Sequence, residues 1–313
     1  MIRPLFSLAL ACFACSVAQA SPSDVIRRIR DPRGGLIVAS HRGCHEAAPH
    51  HGWGTVPENS RAALMRCTEL GIDIMETDVR RSRDGHLVIM HDDRVDRTTE
   101  GKGKVADLTL AGLKALHLRD DEGGASAALT DERILTLDEL LALAKDRIVL
   151  NLDVKDSIYA EVVDAVCEAG AQDRVIVKTF AGIASPPLAG LAPYRRVPFM
   201  VIPTSADADG SDIPEIIARQ MSGRVKPIAV ELPYIPARAL PGIAARAEAL
   251  KVPLWVNTLW GGFVIGAGGD VDALRDPGGV WGAMAKRGVR LFQTDETEAF
   301  VRYRATLAKA SVR

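Results

Sequence analysis

The chain has 313 residues, of which 47% are hydrophobic and 25% charged, so it is long enough to bury a large core as an ordinary globular protein. Its net charge of −1 argues against nucleic acid as a partner, because binding nucleic acid requires a broad basic surface. An anionic substrate would have to be attracted by a local group of cations.

The first twenty residues have the pattern of a Sec-type signal peptide. Arg3 supplies positive charge, residues 5–17 are apolar, and Ala18-Gln19-Ala20 form a small-residue cleavage site. The apolar stretch is shorter than the ~20 residues of a membrane span, and no later stretch reaches that length. We expect cleavage after Ala20 and a periplasmic or secreted chain. An uncleaved anchor, or a lipoprotein signal at Cys12, fits this pattern less well.

Three cysteines remain in the mature chain, namely Cys44, Cys67 and Cys167. An odd count leaves at least one of them unpaired within the chain. Cys44 follows a predicted strand, whereas Cys67 lies late in the next predicted helix, which is a poor arrangement for the ~5.5 Å Cα separation of a disulfide. We therefore expect all three to be small buried hydrophobic residues.

Apolar runs alternate with amphipathic stretches along the mature chain. Eight runs rich in Val, Ile and Leu predict strands that are covered on both faces, at residues 36–40, 74–80, 148–155, 174–179, 197–202, 228–232, 254–258 and 290–294. Helices are predicted between them at 58–70, 159–169, 213–221, 239–250 and 280–286, after a capping box at Thr136 and Glu139, and at 296–308. Eight strand–helix units indicate an α/β fold, a (β/α)₈ TIM barrel that forms one domain over residues 21–313.

One segment interrupts the alternation after the second strand. Asp84-Gly85 is a turn signal, and residues 86–91 return as a short extra strand, which predicts a hairpin. Residues 92–135 then form a long irregular loop with one helix near 108–116.

Reactive side chains are found at the ends of the first three predicted barrel strands. In a TIM barrel these ends face the active site. His41 follows the first strand; Glu76 and Asp78 share one face of the second, and Asp153 and Lys155 share one face of the third. The three carboxylates predict a site for one hard cation, Ca²⁺ or Mg²⁺ with Mn²⁺ as a third option.

The remaining polar groups fit a phosphate ester beside that cation. Arg42 and Lys155 can hold phosphate oxygens, the first through its planar fork and the second as a point charge. Histidine is the side chain that ordinarily changes charge near neutral pH, so His41 and His91 are suited to moving protons onto and off alcohol oxygens.

The order of these motifs resembles the glycerophosphodiester phosphodiesterase family. The matching segments, which span residues 36–300 and are most specific in the first third, are His41-Arg42-Gly43, Pro57-Glu58-Asn59-Ser60, Glu76-Thr77-Asp78-Val79, Asp84-Gly85, His91-Asp92, Asp96-Arg97-Thr98-Thr99, Gly101-Lys102-Gly103, Trp255-Val256-Asn257 and Thr294-Asp295.

The resemblance implies roles for individual residues. It implies His41 and His91 as the catalytic pair, with His41 as base, and Glu76, Asp78 and Asp153 as metal ligands. It also implies phosphate contacts for Arg42 and Lys155. Glu58 would orient Arg42 or lie near the metal. Trp255 and Asn257 share a strand face and would line the mouth of the barrel, although packing explains Trp255 equally well.

Three departures from the family pattern concern the substrate and the loops. Asp153 stands where the family usually has the longer Glu, as in the related sphingomyelinase D branch. The loop 44–56 is longer than usual and contains His45, His50 and His51; it is either a polar surface loop or a second metal or headgroup site. The proline expected after Asp295 is missing.

These observations predict hydrolysis of a glycerophosphodiester to glycerol phosphate and an alcohol. The alternatives are a phospholipase D-like enzyme acting on lysolipids or sphingolipids, and a phosphatidylinositol-type phospholipase C, whose motifs match less well. A phosphate-ester binding protein on a degenerate barrel is the non-enzyme alternative. The intact set of histidines and carboxylates argues against it.

Overall fold

The computed structural model describes residues 20–310, with side chains as far as Ala308, so residues 1–19 of the expected signal peptide lie outside the described residues. Eight parallel strands form its centre: β1 Ile37–Ser40, β2 Ile74–Arg81, β3 Val149–Val154, β4 Val175–Gly182, β5 Phe199–Thr204, β6 Ala229–Glu231, β7 Leu254–Asn257 and β8 Val289–Thr294. Each pairs with its neighbours in the sequence, and β1 pairs with both β2 and β8. The sheet is therefore closed, and the predicted (β/α)₈ barrel is confirmed.

Helices connect and flank the strands. They are α1 Pro22–Arg30, α2 Arg61–Leu70, α3 Leu110–Ala115, α4 Leu137–Ala144, α5 Tyr159–Glu168, α6 Ile213–Gln220, α7 Leu240–Ala249, α8 Asp270–Arg275, α9 Ala283–Lys286 and α10 Thr297–Ala310. The capping box of Thr136 and Glu139 is present at the start of α4. None of the helices described in residues 20–310 is long and apolar enough to cross a membrane. Helices α1 and α8 were not predicted.

The core has two main layers. Inside the barrel, Ile37, Ile74, Ile176 and Leu291 pack in one cluster with Val25, Ile26 and Ile29 of α1, which therefore closes the base of the barrel. A larger cluster lies between the strands and the outer helices. The terminal helices α1 and α10 also share one carboxylate, because Arg28 and Arg304 both pair with Asp73.

The expectation that Cys44 and Cys67 are unpaired is wrong, because they form a disulfide with a Cα separation of 5.2 Å. The helix was predicted to start at residue 58, but Asn59 has a φ of 55° and Ser60 is the N-cap of α2. Cys67 therefore lies in the second turn, level with Ser40 at the end of β1. Only Cys167 remains a free thiol among the described residues, and it is partly exposed.

The segment after β2 contains the predicted hairpin. Strand Leu87–Ile89 pairs antiparallel with β2, and α3 lies in the loop that follows. A second hairpin, His117–Arg119 with Leu129–Arg133, was not predicted. Residues of both hairpins share a small core of their own, formed by Val88, Met90, Val95, Val105, Leu113, Leu118 and Ile134.

Candidate active site

Three carboxylates lie together at the mouth of the barrel. Glu76 and Asp78 of β2 are almost fully buried, and Asp153 of β3 is partly exposed. Oxygen atoms of the three side chains lie within 4.8 Å of one another. Asp78 and Asp153 are direct partners in the parallel register, so both side chains project at the same level of the barrel. The structure thus brings together the carboxylates that the sequence assigned to a cation.

This donor set fits a hard divalent cation, because Ca²⁺ and Mg²⁺ prefer carboxylate oxygens. Asp78 Oδ1 is buried and has no hydrogen-bond partner among the described residues, although the Lys155 ammonium lies 3.0 Å from it. Burial works against the charge of Asp78, but Lys155, His91 and Arg42 hold the pKa of its carboxyl below the usual range. A buried, ionised oxygen of this kind is a suitable metal ligand.

Two lysines neutralise part of the carboxylate charge. Lys155 Nζ lies 2.8 Å from Asp153 Oδ2. Lys178 Nζ, from β4, lies 3.1 Å from Glu76 Oε1 and 3.4 Å from Asp153 Oδ2. Burial opposes the charge of Lys178, but the carboxylates around it raise its pKa well above the ordinary value. The sequence reasoning missed Lys178, although a lysine inside a strand covered on both faces indicates buried acidic partners.

Glu231 extends this network to the next strands. Its Oε2 lies 3.7 Å from Lys178 Nζ, and its Oε1 accepts a hydrogen bond from Asn257 Nδ2 at 2.9 Å. Burial raises the pKa of Glu231. The Trp255 indole donates to Asn257 Oδ1 from a position that is fully buried inside the barrel. The expectation that Trp255 lines the mouth is therefore wrong, and the buried Asn257 holds Glu231.

Arg42 is fixed at the edge of the carboxylate cluster. Its backbone N–H donates to Glu76 Oε2 at 3.1 Å, and its guanidinium donates to Glu58 Oε2 at 2.9 Å. Burial works against the Arg42 charge, but Glu58 and Asp78 raise its pKa. Glu58 also accepts two hydrogen bonds of 2.8 Å from Arg97. Of the two positions expected for Glu58, the structure shows the one that orients Arg42.

Each histidine of the expected catalytic pair is held through Nδ1 by a carboxylate. His41 Nδ1 lies 3.0 Å from Asp295 Oδ1, and His91 Nδ1 lies 2.7 Å from Asp92 Oδ1. Arg97 donates to both oxygens of Asp92 and thereby lowers the pKa of its carboxyl. When Nδ1–H of a neutral imidazole donates a hydrogen bond to a carboxylate, the Nε2 nitrogen keeps a lone pair for proton transfer.

Backbone hydrogen bonds place the two histidines beside the carboxylates. Arg42, next to His41, donates its N–H to Glu76, and Met90, next to His91, donates its N–H to the carbonyl of Asp78 at 3.0 Å. The two histidines therefore each follow or precede a residue that contacts the carboxylate-bearing strand β2. Asp92 and Asp295 were recognised only as motif positions, because their function depends on which histidine each one contacts.

The His-rich loop 44–56 is folded onto the barrel. His51 pairs with Glu298 of α10, and the backbone of His50 donates to the same carboxylate. Both histidines are exposed, as a polar surface loop predicts. His45, in contrast, is only 1% exposed. One residue of this loop is therefore part of the interior beneath the mouth of the barrel.

Several known proteins are similar to this chain. A glycerophosphodiester phosphodiesterase of Caldanaerobacter subterraneus is 35% identical over 51% of this chain and 65% of its own length. Glycerophosphodiester phosphodiesterase 1 of Homo sapiens is 34% identical over 39% of this chain and 34% of its own length. The chain thus spans less than two thirds of either relative.

Solved structures share the fold at low sequence identity. A glycerophosphoryl diester phosphodiesterase from Parabacteroides distasonis superposes with a TM-score of 0.68 and 21% identity, covering 92% of this chain and 93% of that chain. A phosphodiesterase from Oleispira antarctica, solved with the product sn-glycerol-3-phosphate, gives a TM-score of 0.59 and 19% identity over 87% and 97% of the two chains.

The family match covers most of the barrel. Residues 41–259 match the Glycerophosphoryl diester phosphodiesterase family, and this range contains both histidines of the expected pair and all three clustered carboxylates. Because the match extends over more than half of the chain, this protein belongs to the glycerophosphoryl diester phosphodiesterase family.

Proposed function

We propose that the protein hydrolyses a glycerophosphodiester to glycerol phosphate and an alcohol, with one divalent cation held by Glu76, Asp78 and Asp153. The observation that carries this proposal is the pair of carboxylate-held histidines beside the three-carboxylate cluster. The names of the relatives, and the glycerol phosphate bound to the Oleispira antarctica phosphodiesterase, support the choice of substrate.

In this proposal the substrate supplies its own nucleophile. His41 Nε2 takes the proton of the glycerol 2-hydroxyl, whose oxygen bonds to phosphorus while the bond to the alcohol oxygen breaks. His91 donates a proton to that departing oxygen. An attacking group on the same molecule as the phosphorus can lower the activation barrier by up to ~7–11 kcal/mol. The first product is therefore a glycerol cyclic phosphate.

Water then opens the cyclic phosphate, and the two histidines exchange their roles as acid and base. His91 takes a proton from the attacking water, and His41 returns its proton to the glycerol 2-oxygen as that bond breaks. Arg42 and Lys155 hold the phosphoryl oxygens during both steps. A bound cation would supply further positive charge against the phosphoryl oxygens.

We also propose that the enzyme works outside the cytoplasm. The support is the signal-peptide pattern of residues 1–20 together with the Cys44–Cys67 disulfide, because disulfides persist in oxidising compartments.

Phosphorus NMR of the reaction mixture tests this function. With a glycerophosphodiester, metal-stripped enzyme should be inactive, and added Ca²⁺ or Mg²⁺ should restore turnover with a cyclic phosphate visible early. An analogue without the 2-hydroxyl should react about a hundredfold more slowly or worse. His41→Ala and His91→Ala should each lower kcat by ~10²–10⁴, whereas the exposed His50→Ala should not. Full turnover without a cation, or equal rates for the two substrates, would contradict the proposal.

A second candidate substrate carries an acyl chain on its glycerol, as in a lysolipid. Tyr234 and Trp260, each three residues beyond a site residue at the end of β6 or β7, are 59% and 52% exposed. Their rings pack with Phe263, so they form an apolar surface at the mouth. Comparing kcat/KM for a lysolipid and for its deacylated form in wild type and Trp260→Ala distinguishes the two substrates.

A further inference from the structure

His45 lies four residues after His41, and its imidazole is completely enclosed. Its Nδ1 lies 2.9 Å from Asp121 Oδ1, and its Nε2 lies 3.3 Å from Asp295 Oδ1. Ionised carboxylates accept hydrogen bonds and cannot donate them, so both ring nitrogens of His45 must carry protons. His45 is therefore an imidazolium cation. Burial opposes its charge, but the hydrogen bonds to Asp121 and Asp295 raise its pKa to about 10.

One oxygen of Asp295 serves both histidines. His41 Nδ1 lies 3.0 Å from Asp295 Oδ1, the same atom that His45 Nε2 contacts. A carboxylate favours the protonated form of a neighbouring imidazole, and it does so less when a second cation already shares its charge. The state of His45 therefore determines how strongly Asp295 favours protonated His41.

Both ring nitrogens of His45 are used, so this cluster differs from the cation site of Glu76, Asp78 and Asp153. A metal ligand needs the lone pair of a neutral imidazole, and His45 has none to offer while it donates to two carboxylates.

Other charged groups lie near the His45 ring. The acidic neighbours on the surrounding loops are Glu46, Asp121, Glu122, Asp295 and Glu296, Arg42 is the nearby permanent cation, and His41 is the other titratable group. The charges around His45 are mainly negative. If His45 lost its positive charge, no other residue of the loop 44–56 would replace it beside Asp295.

The backbone of His45 is fixed on both sides. The disulfide of Cys44 ties the preceding residue to α2, and the carbonyl of His45 accepts a hydrogen bond from the N–H of Val56 at 2.9 Å. The long loop 44–56 thus holds one imidazolium beneath Asp295. A loop without this histidine would leave Asp295 with His41 alone.

We infer that His45 is a positioning residue that acts through Asp295, fixing the Asp295 carboxylate and limiting the protonation of His41 so that His41 can serve as the base. This inference rests on the proposed role of His41 in hydrolysis.

The pH profile of kcat/KM tests the inference. His45→Gln keeps a hydrogen-bond donor but removes the charge, so Asp295 should favour protonated His41 more strongly. The acidic limb of the profile should move to higher pH by about one unit. His45→Lys, which restores a cation, should move the limb back. His51→Gln, on the same loop but paired with Glu298, should leave it in place. An unmoved limb in His45→Gln, or a fall in rate at every pH with unchanged limbs, would overturn the inference.

Histidine NMR of the wild-type holoenzyme tests the same inference without any variant. The His45 ring should keep the chemical shifts of an imidazolium up to pH 8, and titration of that ring near its ordinary range of about 6–7 would overturn the inference. Different results would contradict the proposed function and the proposed role of His45. If His41→Ala retains turnover, the proposed function fails; if His41 is essential and His45→Gln behaves as wild type, only the role of His45 fails.

Discussion

At the scale of single residues, Lys178 balances carboxylates from three strands. Its ammonium lies within 4 Å of Glu76, Asp153 and Glu231, and its side chain is only 4% exposed. The same charge neutralises two of the expected cation ligands. We therefore expect Lys178 to raise the stability of the fold and to lower the affinity of the site for a cation.

We expect Lys178→Met to lower the free energy of unfolding of the metal-free protein by about 3–5 kcal/mol, because buried carboxylates would lose their counter-charge. Ca²⁺ or Mg²⁺ should bind this more negative site more tightly. The rise in Tm on adding the cation should then be larger in the variant than in wild type. Lys226→Met, at an exposed lysine, is the matched control. An equal rise in both proteins would show that Lys178 does not compete with the cation.

The sequence predicted most of the polar groups at the site but few of their contacts. The i/i+2 spacing of Glu76 and Asp78 is a local signal, because it fixes a shared strand face. The pairing of His41 with Asp295 depends on closure between β1 and β8, which are far apart in the chain. No short motif carries that information, and the same holds for His45 with Asp121.

At the scale of elements, the Cys44–Cys67 disulfide joins the loop after β1 to α2. Its two cysteines are 23 residues apart, and the closed segment contains the His-rich loop. Such a bond stabilises a protein mainly by restricting the unfolded chain.

The double variant Cys44→Ala/Cys67→Ala should lose about 2–4 kcal/mol of unfolding free energy, as measured by denaturant titration. A reductant should lower the stability of wild type and leave that of the double variant unchanged. Cys167→Ala, which removes the partly exposed free thiol, should change stability much less. Identical stability of oxidised and reduced wild type would contradict this expectation.

The strands of the barrel were predicted better than the connecting elements. All eight apolar runs correspond to strands, because a strand covered on both faces has a strong local signal. The start of α2 was placed too early because Asn59 adopts a positive φ within a segment that reads as helical. That error in turn led to the wrong prediction for Cys67. Helix α1 was missed although its signals are local, because Ser21 caps it, Pro22 opens it and Val25, Ile26 and Ile29 share one apolar face.

At the scale of the whole molecule, the two ends of the barrel have separate tasks. The mouth holds the charged and titrating groups, whereas α1 covers the base with apolar side chains. Changes at the base of a TIM barrel affect stability and leave the chemistry intact.

Ile29→Ala, at a fully buried position in α1, should lower the free energy of unfolding by about 2–5 kcal/mol. Below the lowered Tm, kcat should stay at the wild-type value, because the site lies at the opposite end of the barrel. Thermal unfolding and steady-state kinetics on the same samples measure both quantities. Ile265→Ala, at a side chain that is 57% exposed, should leave Tm nearly unchanged. A parallel loss of kcat in Ile29→Ala would contradict the separation of tasks.

The pairing of β1 with β8 also determines when a growing chain can complete its candidate site. A chain delivered from its amino end leaves β1 with one bare edge until residues 289–294 arrive. Until then His41 also lacks Asp295. A chain that lacks its last strand is left with an open barrel and without the Asp295 carboxylate that holds His41. Closure of the barrel and formation of the His41–Asp295 contact therefore coincide.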